Sequence, residues 1–99
     1  MEYLNEDTLV VTAFLSRSCD SCVHMEEILQ EFSDKHPHIP VFLTNNEYYM
    51  DQAEIEYLPT TIISDGESQY RIEGECSYEE LEDLVVNNKW YNEIQESNH

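Results

Sequence analysis

The stretch from Thr8 to Leu15 is an almost unbroken apolar, β-branched run, and a change of period follows it directly. Such a run is the signature of a strand buried on both faces. A chain of this size buries a strand that way by laying helices against a sheet. Ser16 to Ser18 break the run. From there Cys22, Met25, Ile28, Leu29 and Phe32 recur at helical spacing, with Glu26, Glu27, Gln30, Glu31 and Asp34 opposite them. This is an amphipathic helix that ends before His36 and Pro37. Strand then helix, with Cys19 at the junction, points to an α/β fold. In such sheets the functional site sits where a buried strand hands over to a helix.

The remaining segments extend the pattern. Ile39 to Thr44 reads as a second short strand. Asn45 and Asn46 turn the chain into a short helix over Tyr48 to Tyr57, which Leu58 and Pro59 stop. Thr60 to Ser64 and Ser68 to Ile72 are strand-like and flank Asp65-Gly66, a hairpin signal because type I′ turns need positive φ. Gly74 closes the hairpin. Ser77 and Glu80 make a capping box. The helix it opens buries Leu81, Leu84 and Val85 and continues through Trp90 and Ile94. The predicted order is β-α-β-α-β-β-α. The first two strands, joined by a helix, should be parallel and the last two antiparallel, giving a four-stranded mixed sheet with helices over both faces. The 99 residues make one domain, 1–99, with a frayed tail inside 91–99 and most clearly from Glu96 to His99.

Composition excludes several function classes. There are 22 acidic residues against 4 Lys plus Arg, a net charge of -18. A field of that sign repels nucleic acid and anionic lipid and favours basic protein partners. Most of the acids, including Glu26-Glu27 and Glu79 to Asp83, are expected to form solvated helix faces. No apolar run approaches the roughly 20 residues that span a bilayer, and Met1 to Asp7 lacks a signal-peptide pattern. A cytoplasmic protein with no membrane contact is therefore expected. Two of the 3 cysteines form a C-x-x-C, which in that compartment means redox or metal chemistry.

Thiol-disulfide exchange needs one exposed thiolate to attack and a second thiol near enough to resolve the mixed disulfide. Cys19 and Cys22 meet both needs at a helix N-terminus, whose free amides and dipole lower the pKa of the first thiol. Cys22 lies on the apolar stripe, shielded. Arg17 is placed to support a Cys19 thiolate, whereas Asp20 and the overall charge oppose it. A structural zinc site wants four ligands. His24, His36, His38 and Cys76 are available but form no second spaced pair, so redox chemistry is preferred and neither a metal nor another cofactor is expected. Cys76 reads as a small core residue. His36 to His38 read as a loop, and the aromatic pairs Tyr48-Tyr49 and Trp90-Tyr91 as core or edge packing.

With these residues assembled, the chain resembles the thioredoxin superfamily from about Thr8 to Asn88. The resemblance is carried by Cys19-x-x-Cys22 after a hydrophobic strand, Leu58-Pro59-Thr60 before the hairpin, Asp65-Gly66 in the turn and Gly74 before the last helix. It implies a thioredoxin-like fold with a cis Leu58-Pro59 bond facing the cysteines, and the Leu58 backbone available to an extended substrate. It also implies a redox-active Cys19–Cys22 disulfide, with Cys19 as nucleophile and Cys22 as resolving thiol. Leu58, Pro59, Gly74 and Arg17 would then border the substrate. The chain departs from thioredoxins proper. Ser18 stands where the family has Trp, Asp20-Ser21 replace Gly-Pro, and the family's buried acid falls on Ala13. The expected function is a monomeric thiol-disulfide oxidoreductase that reduces protein disulfides and is recycled by a separate reductase. An acidic interaction module on the same scaffold, binding a basic partner, is the alternative. A glutaredoxin-type activity is the weaker one, because glutathione is an anion and no basic pair is placed to hold it.

Overall fold

The computed structural model describes residues 9–97. Thr8, at the head of the first apolar run, lies outside them, as do Asn98 and His99 of the expected tail. The elements follow the predicted order with one addition. They are β1 (Val10–Phe14), α1 (Asp20–Lys35), β2 (Val41–Thr44), α2 (Glu47–Gln52), β3 (Thr60–Ser64), β4 (Gln69–Glu73), α3 (Tyr78–Val85) and α4 (Lys89–Ser97). The strands form one mixed sheet in the order β2-β1-β3-β4. β1 and β2, joined through α1, run parallel, with Val11 opposite Val41. β1 pairs antiparallel with β3, and β3 with β4, as the hairpin requires.

The core follows from alternation. Val11 and Ala13 on β1 and Ile63 on β3 are fully buried, and they meet Met25, Leu29 and Phe32 of α1, Leu81 and Val85 of α3, and Trp90 of α4. The α1 stripe buries Cys22, Met25, Ile28, Leu29 and Phe32, the set that helical spacing picks out. β1 departs from the expectation of a strand buried on both faces. Val10 and Thr12 are only half-buried, because the short α2 covers that side of the sheet incompletely. Tyr48 and Tyr49 are accordingly exposed, at 64% and 55%, and are not the packing residues expected.

Two helix ends fall where no glycine or proline announces them. α2 stops at Gln52, short of Tyr57. Glu54 takes φ 55°, its amide donates to the Asp51 carbonyl and that of Ile55 to the Met50 carbonyl. That is a Schellman motif, built here on a non-glycine residue. The expected single helix from Ser77 through Ile94 breaks into α3 and α4 at Asn88 (φ 59°), a residue type that tolerates the left-handed region. Residues of the expected tail up to Ser97 are helical, in α4. The hairpin turn also differs from type I′. Asp65 and Ser68 flank a Gly66-Glu67 pair in which only Gly66 (φ 96°) is left-handed, and glycine at the first central position is the type II′ requirement. The Asp65 carboxylate fixes the turn by accepting from the amides of Glu67 and Ser68. Among the described residues no helix is long and apolar enough to cross a membrane.

Candidate active site

The site lies where β1 ends and α1 begins. Cys19 is the N-cap of α1, in extended conformation (φ -111°, ψ 113°), and its sulfur accepts the amide of Cys22 at 3.2 Å. A helix start leaves its first amides without intrahelical partners, so the sulfur takes the place a serine or aspartate oxygen fills elsewhere. Cys19 and Cys22 are joined as a disulfide, with Cα atoms 5.1 Å apart. Cys19 is half-buried and Cys22 only 1% exposed, an outward sulfur and a shielded one. Ser21 Oγ lies 3.3 Å from Cys19 Sγ. The disulfide sulfur carries no proton, so the hydroxyl is the donor. Asp20, in the first turn, is exposed and places a negative charge beside the pair.

The Leu58-Pro59 bond is cis, as the resemblance implied. The Leu58 carbonyl oxygen lies 3.9 Å from Cys19 Sγ, which brings this segment against the outward cysteine. Pro59 is buried, and its carbonyl accepts the amide of Gly74 at 2.7 Å. Gly74, at φ 95°, turns the chain out of β4 so that Glu75 reaches His24 on α1, two residues past Cys22. The β4–α3 loop is thereby tied to the helix that carries the cysteines. Arg17 is exposed and has no hydrogen bond or ion pair among the described residues. It lines two adjoining cavities: one of about 320 Å³ with Ser18, Glu47, Met50 and Leu58, and one of about 580 Å³ with Val23, Glu26, Asn45 and Tyr49.

The geometry thus gathers Cys19, Cys22, Leu58, Pro59 and Gly74 into one locality, with Arg17 on its flank. Ala13 is fully buried and supplies no proton acceptor beneath the pair. Cys76 remains a free, buried thiol among core residues, and desolvation, with a smaller push from Glu80, raises its pKa to about 11. No group of three or more metal-ligating side chains stands close enough to hold an ion among the described residues. Sequence reasoning missed the Ser21 contact and the His24–Glu75 link. Ser21 was legible as a hydroxyl on the first turn beside Cys19, whereas His24 and Glu75 are 51 residues apart and carry no local signal.

The thioredoxin family model matches residues 1–87. No curated protein matches the sequence. Solved structures do match in shape. Thioredoxin from Fasciola hepatica superposes with a TM-score of 0.71 at 18% identity, over 84% of this chain and 83% of that one. Oxidised mitochondrial thioredoxin 3 from Saccharomyces cerevisiae gives 0.70 at 16% identity, over 85% and 82%. Chloroplastic thioredoxin z gives 0.71 at 20% identity, over 82% and 78%. A family match over most of the chain, the shared fold and a C-x-x-C at the helix start beside a cis proline agree: the chain belongs to the thioredoxin family.

Proposed function

We propose that this protein is a thiol-disulfide oxidoreductase that reduces disulfides in protein substrates through Cys19 and Cys22. The observation that carries it is the capping of α1 by the Cys19 sulfur. The amide of Cys22 and the hydroxyl of Ser21 both point at the atom on which negative charge must develop. Hydrogen bonds to a charged form favour that form, so both lower the thiol pKa against the opposing effect of Asp20.

In the reduced protein, the Cys19 thiolate attacks one sulfur of a substrate disulfide. A Cys19–substrate bond forms as the substrate bond breaks, and the departing substrate thiolate takes a proton. Cys22, deprotonated, then attacks Cys19 Sγ, forming the intramolecular disulfide and releasing the second substrate thiol. Two electrons pass from the cysteine pair to the substrate. A separate dithiol reductase returns them. Leu58, Pro59 and Gly74 border the substrate segment, with the Leu58 backbone available to pair with it, and Arg17 flanks its path. Burial of Cys22 keeps external disulfides away from it, which makes Cys19 the entry point.

We further propose that the chain acts as a monomer in the cytoplasm, the setting in which a reducing pair would be kept supplied. Insulin reduction with dithiothreitol as the electron source tests the activity. The wild-type protein should accelerate precipitation of the insulin B chain, and a Cys19→Ser variant should not. Equal rates for the two would remove the oxidoreductase assignment.

A further inference from the structure

The side of the sheet that α2 covers incompletely carries a groove of about 560 Å³. Thr12 and Phe14 of β1, Phe42 of β2, Tyr49 and Gln52 of α2, and Ala53 line it, and none of these bears a charge. Phe42 is 58% exposed and Tyr49 55%, and the ring of Tyr48 meets that of Tyr49 edge-on at 5.6 Å. Clustered exposed aromatics on a small soluble protein mark a contact surface more often than an accident of packing. Exposed carboxylates follow directly on the groove-lining Ala53, at Glu54 and Glu56, while Glu47 and Asp51 lie on the other face of α2. Arg71, the cation at the Ala53 end, is held by the backbone carbonyls of Ala53 and Glu54. The groove also shares Leu43, Thr44 and Tyr49 with the cavity beside Arg17, so it continues toward the cysteines.

We propose that this groove docks a cationic, apolar-bearing segment of the protein substrate whose disulfide Cys19 attacks. The substrate half rests on the oxidoreductase assignment; the docking half does not. Apolar side chains of such a segment fill the Phe14–Phe42 floor. Its Arg or Lys groups lie over the Tyr rings, where the ring quadrupole attracts a cation within about 6 Å, in the negative field of a chain of net charge -18. Charge selects this occupant over a second copy of the chain, because each copy carries -18 and the two repel.

The test uses a dye-labelled, cysteine-free peptide of alternating arginine and leucine, with a glutamate-leucine peptide as control. Binding is measured by fluorescence anisotropy on the Cys19→Ser/Cys22→Ser double variant, which cannot form a mixed disulfide. The arginine peptide should bind and the control should not. Raising ionic strength from about 0.01 to about 0.15 M, which shortens the Debye length from about 30 to about 8 Å, should weaken binding. Phe42→Ser combined with Tyr49→Ala should weaken it about tenfold or more. Both side chains are exposed, and an unchanged circular dichroism spectrum confirms that the variant is folded. Equal affinity for the groove variant would overturn the docking site, since attraction would then come from the overall field alone. A dimer in sedimentation equilibrium that Phe42→Ser dissolves would also overturn it, in favour of a second copy. In a separate arm, an arginine-leucine peptide closed by a disulfide is offered to the wild-type protein in its reduced form. Selective loss of kcat/KM for that peptide in the groove variant, with insulin turnover retained, supports the substrate half. If the peptide binds but is not reduced while insulin is, the substrate half fails alone. If neither is reduced, the oxidoreductase assignment is what fails.

Discussion

Two helices of this molecule begin beside a cysteine, and they treat it in opposite ways. At α1 the cysteine is itself the cap: Cys19 Sγ accepts the amide of Cys22 at 3.2 Å and receives the Ser21 hydroxyl. At α3 the cap is Ser77, whose oxygen accepts the amide of Glu80 at 3.1 Å and whose hydroxyl donates to the Glu80 carboxylate at 3.2 Å. Cys76, one residue earlier, is left to face the core at 8% exposure. One position therefore decides whether the helix's free amides act on sulfur or on oxygen. At α1 they favour a thiolate. At α3 burial and the neighbouring Glu80 favour the neutral thiol, with a pKa raised to about 11. On the proposed reading, occupying the cap, and not nearness to a helix start, is what activates a cysteine.

The largest effect that could break this contrast is in catalysis. Cys19→Ser and Cys22→Ser should each lower insulin reduction to the dithiothreitol background, whereas Cys76→Ala should leave it close to the wild-type rate. Loss of activity in the Cys76 variant, with its fold intact, would make the third thiol part of the chemistry.

Next comes alkaline stability. Below pH 9 Cys76 is protonated in folded and unfolded chains alike. Between pH 9 and about 11 the unfolded thiol loses its proton while the native one keeps it, so the unfolded state is favoured as pH rises. The wild-type protein should lose roughly 2 to 3 kcal/mol from this group across that window, and the Cys76→Ala variant should lack that component. Denaturant titrations at several pH values, compared between the two proteins, measure it. Iodoacetamide labelling gives the kinetic counterpart. At pH 8 only about one Cys76 in a thousand is thiolate in the native state, so mass spectrometry of the reduced protein should find Cys19 modified long before Cys76.

A smaller effect concerns the cap at α3. Ser77→Ala should destabilise the fold by about 1 kcal/mol, read as a lower midpoint in urea, without making Cys76 reactive, because its burial is unchanged. The subtlest concerns Ser21. Ser21→Ala removes one hydrogen bond to the Cys19 sulfur and so should disfavour its thiolate. The pH profile of Cys19 alkylation would move up accordingly. An unmoved profile would assign the thiolate's stabilisation to the helix start alone.

Much of this architecture is legible in the sequence where a local signal has one physical outcome. The α1 stripe of Met25, Leu29 and Phe32, the Ser77 cap and the β3–β4 hairpin are such cases. The cis Leu58-Pro59 bond came instead from the family resemblance. What escaped prediction depends on contacts between distant segments or on residues that break habit. Glu54 closes a Schellman motif without glycine, and Asn88 divides what periodicity presents as one helix. Tyr48 and Tyr49 look like core residues by type, yet α2 leaves them on the surface. At the site, the roles proposed for the two cysteines rest on their spacing, and the burial of Cys22 at 1% exposure supports them. The Leu58 carbonyl against Cys19 and the His24–Glu75 tie needed the folded chain.

Trapping of the mixed disulfide tests the central claim most directly. Reduced Cys22→Ser protein, offered a protein disulfide, retains the attacking thiol but lacks the resolving one. It should accumulate a covalent adduct that mass spectrometry maps to Cys19, while Cys19→Ser protein accumulates none under the same conditions. An adduct mapped to Cys76, or equal trapping by the two variants, would contradict the assignment of Cys19 as the nucleophile at the start of α1.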